Sequence, residues 1–576
     1  MLKLARFLAP WKTEIILVLL LVFGQTIADL YLPTLMADII DKGVMNGDTT
    51  RILSTGALML LVTGASILSA ILASWLGSKA SAGFGAAIRE AIFGRVESFS
   101  LDEFDRFGAS TLITRSTNDV TQVQTVTLMA LRMMVGAPIM AVGGLVMALS
   151  KDRSLTWVLA AVIPVLGILI GVVFMKALPL FRSIQGKIDR INLVLREALT
   201  GVRVVRAFNR EDRERQRFEE ANAELTSTYI KVNRLMAVMM PSIMFIMSAA
   251  SLALLWFGII RIDSGEMEIG SLMAFIQYSF MILMSFMMFA MMFIMVPRAQ
   301  AAAVRIDEVL GTEPTISDPA VPKAPGAADR ATVEFRNVTF RYHGAEQAAI
   351  EGVSFRAAPG EVTAIIGSTG SGKSTIAKLV ARFYDADSGQ VLVDGVDVRE
   401  MAQDGLRARI GYVPQKPILF SMSIADNVRL GTEGVDQDAV RKASEIAQAT
   451  EFIDTIEGGY EHEVAQGGLD LSGGQKQRLS IARAIARKPE IYLFDDCFSA
   501  LDFRTDSRLR ARLKEVTGKA TVIVVAQRVG TVMDADRIIV MEDGQIVGTG
   551  THRELLASCP VYHEIAASQL SEERLA

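Results

Sequence analysis

The first half of the chain is dominated by long apolar runs in which polar positions are widely spaced. Six such runs lie between residues 13 and 296. Each reaches or exceeds the roughly 20 apolar residues that a helix needs to cross a bilayer. The first run reads EIILVLLLVFGQTIADLYLP, and the last reads SLMAFIQYSFMILMSFMMFAMMFIMV. The pattern therefore predicts six transmembrane helices.

Two polar connections between these runs are long and keep a helical periodicity. Residues 83–123 and 183–232 repeat apolar positions at helical spacing. We expect membrane helices that continue into the cytoplasm and turn near Asp102–Thr111 and near Phe208–Arg213. Two hairpins of similar length favour a docking surface for the rest of the chain. The alternative is a pair of solvated hairpins without such a role.

Lysine and arginine are concentrated on one side of the predicted crossings. They are frequent at the start of the chain and in residues 78–125 and 182–234. The connections at 42–51, 151–153 and 261–266 are short and poorly basic. Because positively charged loops stay in the cytoplasm, we expect a multi-pass protein of the cell (inner) membrane with both termini cytoplasmic.

The pattern changes after the sixth apolar run. Residues 311–330 contain four prolines in a short polar span, which predicts a linker. Residues 331–576 then alternate strand-like segments, such as EVTAIIG and TVIVVAQ, with helical stretches, and Asp543-Gly544 indicates a tight hairpin. The sequence thus predicts a transmembrane domain at 1–310, followed by an α/β domain with an antiparallel β subdomain.

Composition changes this picture little. The net charge of −4 gives no support to nucleic-acid binding. Both cysteines, Cys497 and Cys559, fall in the second half of the chain. Their position favours a reducing compartment without a disulfide framework.

The second half contains a glycine-rich loop, GSTGSGKST, which matches the phosphate-binding pattern G-x-x-x-x-G-K-[ST] between a predicted strand and a predicted helix. Backbone N–H groups of such a loop point at phosphates. Lys373 would add positive charge near the β- and γ-phosphates, and Ser374 a hydroxyl ligand for Mg²⁺. The predicted nucleotide site comprises Gly367, Ser368, Thr369, Gly370, Ser371, Gly372, Lys373, Ser374 and Thr375.

A second motif, LSGGQKQRLSIARAIA, occupies residues 471–486 and is followed by the strand-like segment IYLFDD. With these motifs behind six crossings, the chain resembles half-transporters of the ATP-binding cassette (ABC) exporter type over essentially its whole length. The resemblance implies a P-loop fold for the α/β domain, ATP and Mg²⁺ as cofactors, and ATPase activity coupled to transport. It also implies that two cassettes associate around ATP. The start of the motif, LSGGQ, is the family's signature. Its residues that would face the opposite subunit's γ-phosphate are Ser472, Gly473, Gly474 and Gln475.

Five further positions match the family one by one. Tyr342 matches an aromatic residue that stacks on adenine, with a half-buried strand tyrosine as the alternative. Gln415 matches the glutamine that contacts Mg²⁺ and attacking water, with a surface loop residue as the alternative. Asp495 matches the aspartate that supports Mg²⁺. Asp502 matches a loop that crosses to the other cassette, and Phe208 resembles a coupling residue that enters the cassette's cleft.

Three positions depart from the family pattern. Asp496 replaces the glutamate that polarises water, Gln527 replaces the switch histidine, and Gln466 replaces a glutamate just before the signature. A general base commonly contributes about 10²–10⁴-fold, and a displacement of about 1 Å can cost roughly 10²-fold. Because Asp496 is one methylene shorter than glutamate and glutamine cannot carry histidine's proton, the sequence predicts a slow ATP site.

A slow site beside an intact signature suggests that this chain completes a competent site of a different partner. The chain therefore resembles the degenerate-site subunit of heterodimeric multidrug-type exporters, and a second ABC half-transporter is the expected partner. One alternative is a homodimer with two slow sites. Another is a regulatory ATP-sensing membrane subunit.

The transported substrate is poorly specified by the sequence. Of 28 methionines, half lie between Met236 and Met295, and pliable thioethers suit varied apolar ligands. This composition favours a small apolar or amphipathic substrate, with helix packing or contact with membrane lipid as the alternative. Asp29 and Arg132 are ionisable residues within apparent crossings and are therefore candidate cavity residues. The alternative is a position near a membrane face, where a charge keeps its water. The methionines at helical spacing are Met281, Met284, Met288, Met291 and Met295.

Overall fold

The computed structural model describes residues 2–324, 326, 329–432 and 434–569. It divides the chain into two compact units. The first comprises Met1–Gly94 and Leu112–Gly311, and the second comprises Arg95–Thr111 and Thr312–Ala576.

The first half of the chain is helical. Among the described residues, six helical segments are long and apolar enough to cross a membrane, which confirms the prediction of six crossings. The helices are α1 (Lys12–Asp38), α2 (Thr49–Glu97), α3 (Leu101–Phe107), α4 (Ala109–Thr114), α5 (Val120–Lys151), α6 (Thr156–Thr200), α7 (Val202–Ala207), α8 (Glu211–Asp263) and α9 (Ile269–Gly311).

Several of these helices are longer than a membrane crossing requires. Helix α2 has 49 residues and α8 has 53, so at about 1.5 Å per residue each is more than twice as long as the roughly 30 Å hydrocarbon layer. The excess carries polar, charged sequence, as the helical periodicity of the connections predicts. These helices therefore continue beyond the membrane.

Helices α1, α5 and α9 pack closely in the first unit. On α5, a Cβ at Gly143 would overlap the side chain of Leu30, and one at Gly144 would lie 2.8 Å from Ile282. Nearer the polar end, buried Asp119 pairs with Arg305 of α9. Small residues thus bring the apolar parts of these helices together, while ion pairs join their polar ends.

The second unit contains two sheets and short helices. The antiparallel sheet has the order β2-β1-β4-β5, and the larger sheet has the order β10-β9-β3-β8-β7-β6. The strands are β1 (Val333–Phe340), β2 (Ile350–Ala357), β3 (Val362–Gly367), β4 (Ser388–Val393), β5 (Val396–Asp397), β6 (Ile410–Val413), β7 (Ile491–Asp495), β8 (Thr521–Val525), β9 (Arg537–Glu542) and β10 (Gln545–Gly550). The helices are α10 (Lys373–Val380), α11 (Gln403–Ala408), α12 (Ile424–Arg429), α13 (Gln437–Ile446), α14 (Thr450–Ile453), α15 (Gly473–Ala486), α16 (Phe503–Thr517), α17 (Val529–Val532), α18 (His552–Ser558) and α19 (Pro560–Ala567).

The core of the larger sheet is parallel. Strands β6, β7, β8 and β3 pair in parallel in that order, and every residue of β7 and β8 is buried. Apolar strands covered on both faces are typical of parallel sheets. The carboxyl ends of these four strands therefore share one edge, where ligands bind in α/β proteins.

The predicted hairpin is also present. Strands β9 and β10 are antiparallel, and the residues between them, Asp543 and Gly544, have φ values of 45° and 81°. Two successive positive φ angles are those of a type I′ turn, which matches the twist of a hairpin. The predicted fold class, six membrane helices followed by an α/β domain with an antiparallel subdomain, is confirmed.

Candidate nucleotide site

The glycine-rich loop lies at the carboxyl end of β3. It begins at Gly367, the last residue of β3, and leads into α10, which starts at Lys373. Gly372 caps this helix with a φ of 89°, and a Cβ there would overlap the carbonyl oxygen of Ala349. Only glycine therefore fits at this tight approach of two backbone segments. The loop residues Ser368, Thr369, Gly370 and Ser371 connect the strand to the helix.

The side chain of Lys373 is held inside this loop. Its Nζ donates hydrogen bonds to the carbonyl oxygens of Gly367, at 2.9 Å, and Ser368, at 2.6 Å. Burial lowers the pKa of the Lys373 ammonium, and the carboxylates of Asp496 and Asp495 oppose this shift. The loop thus concentrates one positive charge next to two acidic residues.

Ser374 and Asp495 meet across the strand ends. The Ser374 hydroxyl donates a 2.6 Å hydrogen bond to Asp495 Oδ1. Burial raises the pKa of Asp495, and the bond from Ser374 and the charge of Lys378 oppose this effect. Hydroxyl and carboxylate oxygens are ligands that suit Mg²⁺, which uses one or two protein carboxylates together with phosphates. The donor set therefore fits a nucleotide-bound Mg²⁺.

Asp496 stands at the centre of the strand edge. Its Oδ2 accepts hydrogen bonds from Gln415 Nε2, at 3.1 Å, and Gln527 Nε2, at 2.9 Å. The three residues follow β7, β6 and β8 respectively. Asp496 has a positive φ of 47° and is 7 % exposed, and its backbone N–H donates to the Val525 carbonyl at 2.9 Å. The structure thus brings together the three residues for which the sequence predicted catalytic roles.

Tyr342 lies beside the helix that follows the loop. Its hydroxyl is 3.1 Å from Thr375 Oγ1, and its ring makes edge contacts with Phe340 and Tyr384 at centroid distances of 4.9 and 5.3 Å. The side chain is half-buried. Tyr342 therefore packs on the antiparallel sheet and also reaches the nucleotide loop, and its contact with adenine stays a prediction.

The signature forms the start of α15. Ser472 caps this helix in a capping box, in which its backbone N–H donates to Gln475 Oε1 at 2.7 Å and its Oγ accepts from the Gln475 N–H at 3.3 Å. A Cβ at Gly474 would lie 3.3 Å from the carbonyl oxygen of Ala500. Ser472 and Gly473 are exposed. Within the described part of the chain, no hydrogen bond joins these signature residues to the loop at Gly367–Thr375.

One connection to this site was missed by the sequence interpretation, and a second lies at the turn near Asp102–Thr111, for which the sequence predicted a docking surface. The first is Gln477, which is fully buried and donates to the Pro414 carbonyl at 3.2 Å, so the signature helix is linked to the segment that carries Gln415. The second is α3, which belongs to the second unit. Tyr384 donates a 2.8 Å hydrogen bond to Asp105 of α3. A capping-box pattern, Ser100 with Glu103, marked the start of α3 and could have indicated this helix.

The other coupling segment lies in the first unit. Phe208, which follows α7, is 72 % exposed. Its role as a coupling residue therefore stays a prediction. Among the substrate candidates, Met281, Met284 and Met288 lie on α9, whereas the side chain of Met291 lies outside the described residues.

The fold and the site define an ATP-binding cassette preceded by six membrane helices. Residues 15–286 match the model of the ABC transporter transmembrane region, and residues 350–499 match the ABC transporter model. The chain is 47 % identical to an ABC transporter ATP-binding protein of Mycobacterium tuberculosis strain CDC 1551, with 98 % of this chain and 97 % of that protein covered. It belongs to the ABC transporter family.

More distant relatives agree over most of the chain. The ATP-dependent lipid A-core flippase of Aromatoleum aromaticum is 32 % identical and covers 89 % of this chain and 87 % of its own length. A solved structure of a bacterial Atm1-family ABC exporter with ATP bound superposes with a TM-score of 0.78 at 25 % identity, covering 98 % of this chain and 99 % of the other. The chain is therefore an ABC exporter half-transporter whose ATPase activity is coupled to transport.

Proposed function

We propose that this chain is one half of a heterodimeric ABC exporter. Its own ATP site binds nucleotide but hydrolyses it slowly. Its signature completes the hydrolytic site of a different half-transporter. The observation that carries the proposal is the pair of amide hydrogen bonds on Asp496 Oδ2 from Gln415 and Gln527.

The surroundings of Asp496 make it a poor general base. The Oδ2 atom of Asp496 already accepts two amide hydrogen bonds, so little of its acceptor capacity is left for an attacking water. The carboxylate is also one methylene farther from the nucleotide loop than a glutamate would be. Gln527 donates a hydrogen bond but cannot carry a proton. Together these features support a turnover at this site roughly 10² or more below that of a site with glutamate and histidine.

The residues around this weak base are well suited to hold ATP. In the proposal, Gly367–Thr375 supply N–H groups and the Lys373 charge to the phosphates, and Tyr342 contacts adenine. Ser374, Asp495 and Gln415 hold Mg²⁺, which when bound neutralises phosphate charge. The short contact between Ser374 and Asp495 supports this assignment.

The signature is intact and exposed. Ser472, Gly473, Gly474 and Gln475 form a capped helix start, and the N-terminus of a helix of 14 residues favours an anion. Its exposure supports a role on nucleotide held by the partner subunit. Phe208 is also exposed, which supports a second contact with the partner. In the proposal, the segment that carries Phe208 engages the partner's cassette.

We further propose that the protein lies in the inner membrane with both termini in the cytoplasm. The lysine and arginine asymmetry of the connections supports this orientation. The substrate in this proposal is a small amphipathic molecule. The relatives named for lipid A-core flipping favour an amphipathic substrate, as do the methionines of α9.

Turnover of the purified complex tests the assignment of sites. Asp496→Ala is expected to lower ATP turnover only modestly, whereas replacement of the equivalent glutamate of the partner is expected to nearly abolish it. Ser472→Arg is expected to be as harmful as the partner change, because a bulky charge then blocks the competent site. Ser558→Arg, at an exposed serine of α18, is the control and should have little effect.

Two results would favour the alternatives. Turnover by this chain without a partner, equal to that of the complex and lost on Asp496→Ala, would establish a homodimer. ATP binding with negligible turnover in every combination would establish a regulatory ATP-sensing subunit.

A further inference from the structure

A cavity of about 430 Å³ in the first unit contains two ionisable side chains of opposite charge. It lies between α1, α5 and α9, and its lining includes Asp29 of α1 and Arg132 of α5. Charged groups within membrane segments are costly, and those that persist commonly face a cavity and mark a ligand path. The two charges therefore make this cavity a candidate ligand site.

Asp29 is held in place from α2. The Ser66 hydroxyl donates a 2.6 Å hydrogen bond to Asp29 Oδ1, and the Asp29 side chain is only partly exposed. A carboxylate accepts about four hydrogen bonds. Asp29 therefore has acceptor capacity left for a cationic group in the cavity.

Arg132 presents an exposed guanidinium to the same cavity. Within the described part of the chain, no carboxylate lies within the 4.0 Å that defines an ion pair with Arg132. The same side chain borders an adjoining pocket next to Ser74, Trp75 and Ser78 of α2. Arg132 is therefore available to an anionic group that enters between the helices.

The helix packing sets the spacing of the two charges. A Cβ at Gly136 of α5 would lie 3.5 Å from Val22 and 3.8 Å from Thr26 of α1, and Gly143 faces Leu30, so the two helices run in the same direction. Asp29 then stands roughly nine residues, or about 13 Å, farther along the helices than Arg132. This is too far for a direct ion pair, so a ligand that contacts both side chains has to extend along the cavity that they share.

The remaining lining of the cavity is largely apolar and adaptable, with methionines that accommodate varied apolar shapes. Among the described residues, a larger cavity of about 900 Å³ between α6, α8 and α9 is lined by no ionisable side chain. The smaller cavity thus combines two opposite charges with pliable apolar walls, and the larger one does not. The larger apolar residues that line the smaller cavity are Val22, Leu128, Met129, Met133, Met140 and Met288.

We propose that this cavity binds an amphipathic zwitterion. Its anionic group pairs with Arg132, its cationic group pairs with Asp29, and its apolar body contacts the methionines. The inference rests on the proposed function as an exporter and names the substrate class.

Binding of matched lipids to the full-length chain in a neutral maltoside detergent tests the inference. The probes are lysophosphatidylethanolamine, neutral monoacylglycerol and anionic lysophosphatidic acid with one common acyl chain. We expect about tenfold tighter binding of the zwitterion than of monoacylglycerol, and a loss of about tenfold with either Arg132→Gln or Asp29→Asn. The zwitterion should also bind more tightly than lysophosphatidic acid, and Asp29→Asn, which keeps an acceptor for Ser66, should remove this difference.

Two controls and a charge exchange complete the test. Lys79→Gln removes an exposed charge of α2, and Ile170→Trp fills part of the larger cavity; neither should change binding of the zwitterion. The double variant Asp29→Lys with Arg132→Glu should recover most of the affinity, because both charges are still present. Equal binding of zwitterion and monoacylglycerol by the unmodified chain would overturn the inference. So would a loss confined to Ile170→Trp.

This experiment uses the chain alone and without nucleotide. A complex that fails to hydrolyse ATP would therefore overturn the exporter proposal without affecting the binding result. Normal turnover of the complex combined with no head-group preference would overturn only the substrate assignment.

Discussion

Gln527 Nε2 donates a 2.9 Å hydrogen bond to Asp496 Oδ2, the same oxygen that accepts a 3.1 Å bond from Gln415 Nε2. The two residues that replace the family's glutamate and histidine are therefore in direct contact. Residues in contact commonly show non-additive effects on substitution. The pair is thus best regarded as one coupled change in the site.

This contact predicts that hydrolysis is restored only by changing both residues. Asp496→Glu combined with Gln527→His is expected to raise turnover at this chain's own site by about 10²-fold. The longer glutamate brings the carboxylate closer to the nucleotide loop, and the histidine can carry a proton. Turnover is measured in a complex whose other site is inactivated. Gln466→Glu, the third departure from the family pattern, is the control and should leave turnover low. A double variant no faster than the control would contradict the prediction.

Lys373 is expected to be required for nucleotide binding at this site. Its Nζ lies within the loop at 2.6 Å from the Ser368 carbonyl, so Lys373→Ala removes the positive charge of the loop. Labelling of this chain by a photoreactive ATP analogue should fall by tenfold or more, since charged hydrogen bonds contribute about 1.5–3 kcal/mol each. Lys519→Ala, at an exposed lysine, should leave labelling unchanged. Undiminished labelling of Lys373→Ala would refute the assignment of the loop.

The bond from Tyr384 to Asp105 is expected to transmit changes between the cassette and α3. Burial, reinforced by Asp105, raises the pKa of Tyr384, so its hydroxyl stays protonated and donates. Tyr384→Phe or Asp105→Asn should reduce substrate stimulation of ATP turnover a few-fold, because the partly buried bond contributes about 1 kcal/mol. Asp102→Asn makes the same charge change one turn earlier in α3 and serves as the control. Equal stimulation in all three variants would exclude this role.

We expect a pH-dependent interaction between His462 and Asp470 in the loop before the signature. His462 Nε2 lies 2.9 Å from Asp470 Oδ2. The hydrogen bond with Asp470 raises the pKa of His462 above its ordinary 6.5. Burial acts to raise the pKa of Asp470, but its hydrogen bonds from His462 and backbone amides outweigh burial and lower it below 3.8.

The sign of the effect follows from these directions. A raised histidine pKa gives stabilisation that is complete below about pH 6.5 and is lost as pH rises through the folded value, whereas the aspartate contribution is lost only in strong acid. Hydrogen exchange of residues 463–471 should therefore accelerate, beyond its intrinsic rate, between about pH 5.5 and about pH 8.5. His462→Asn should abolish this dependence, and His343→Asn, at an exposed histidine, should preserve it. If the pH dependence of hydrogen exchange were unchanged in His462→Asn, the proposed His462–Asp470 interaction would be contradicted.

The proposed orientation predicts which residues are reachable from outside the cell. Both native cysteines are buried, so introduced cysteines can be labelled with little background. Asn46→Cys, between α1 and α2, should react with a membrane-impermeant maleimide in intact cells. Arg213→Cys, near the start of α8, should react only after permeabilisation. The reverse pattern would overturn the topology.

Local properties of the chain were sufficient for the membrane crossings, the nucleotide loop and the hairpin. The length of an apolar run decides whether a helix spans a bilayer, and the spacing of glycines and lysine in GSTGSGKST specifies a loop between a strand and a helix. Likewise, Asp543-Gly544 supplies the two positive φ angles of its turn. Each of these features depends on neighbouring residues, so the sequence by itself determined them.

Only the tertiary structure decided which distant side chains meet. Asp496, Gln415 and Gln527 follow three different strands, and they converge because the order β6-β7-β8 places their carboxyl ends side by side. Asp29 and Arg132 share a cavity because small residues of α5 let α1 approach closely. Hydrophobic periodicity records which face of an element is buried, but it does not record the neighbour against which that face packs. Contacts between elements far apart in the chain are therefore fixed by sheet order and helix packing.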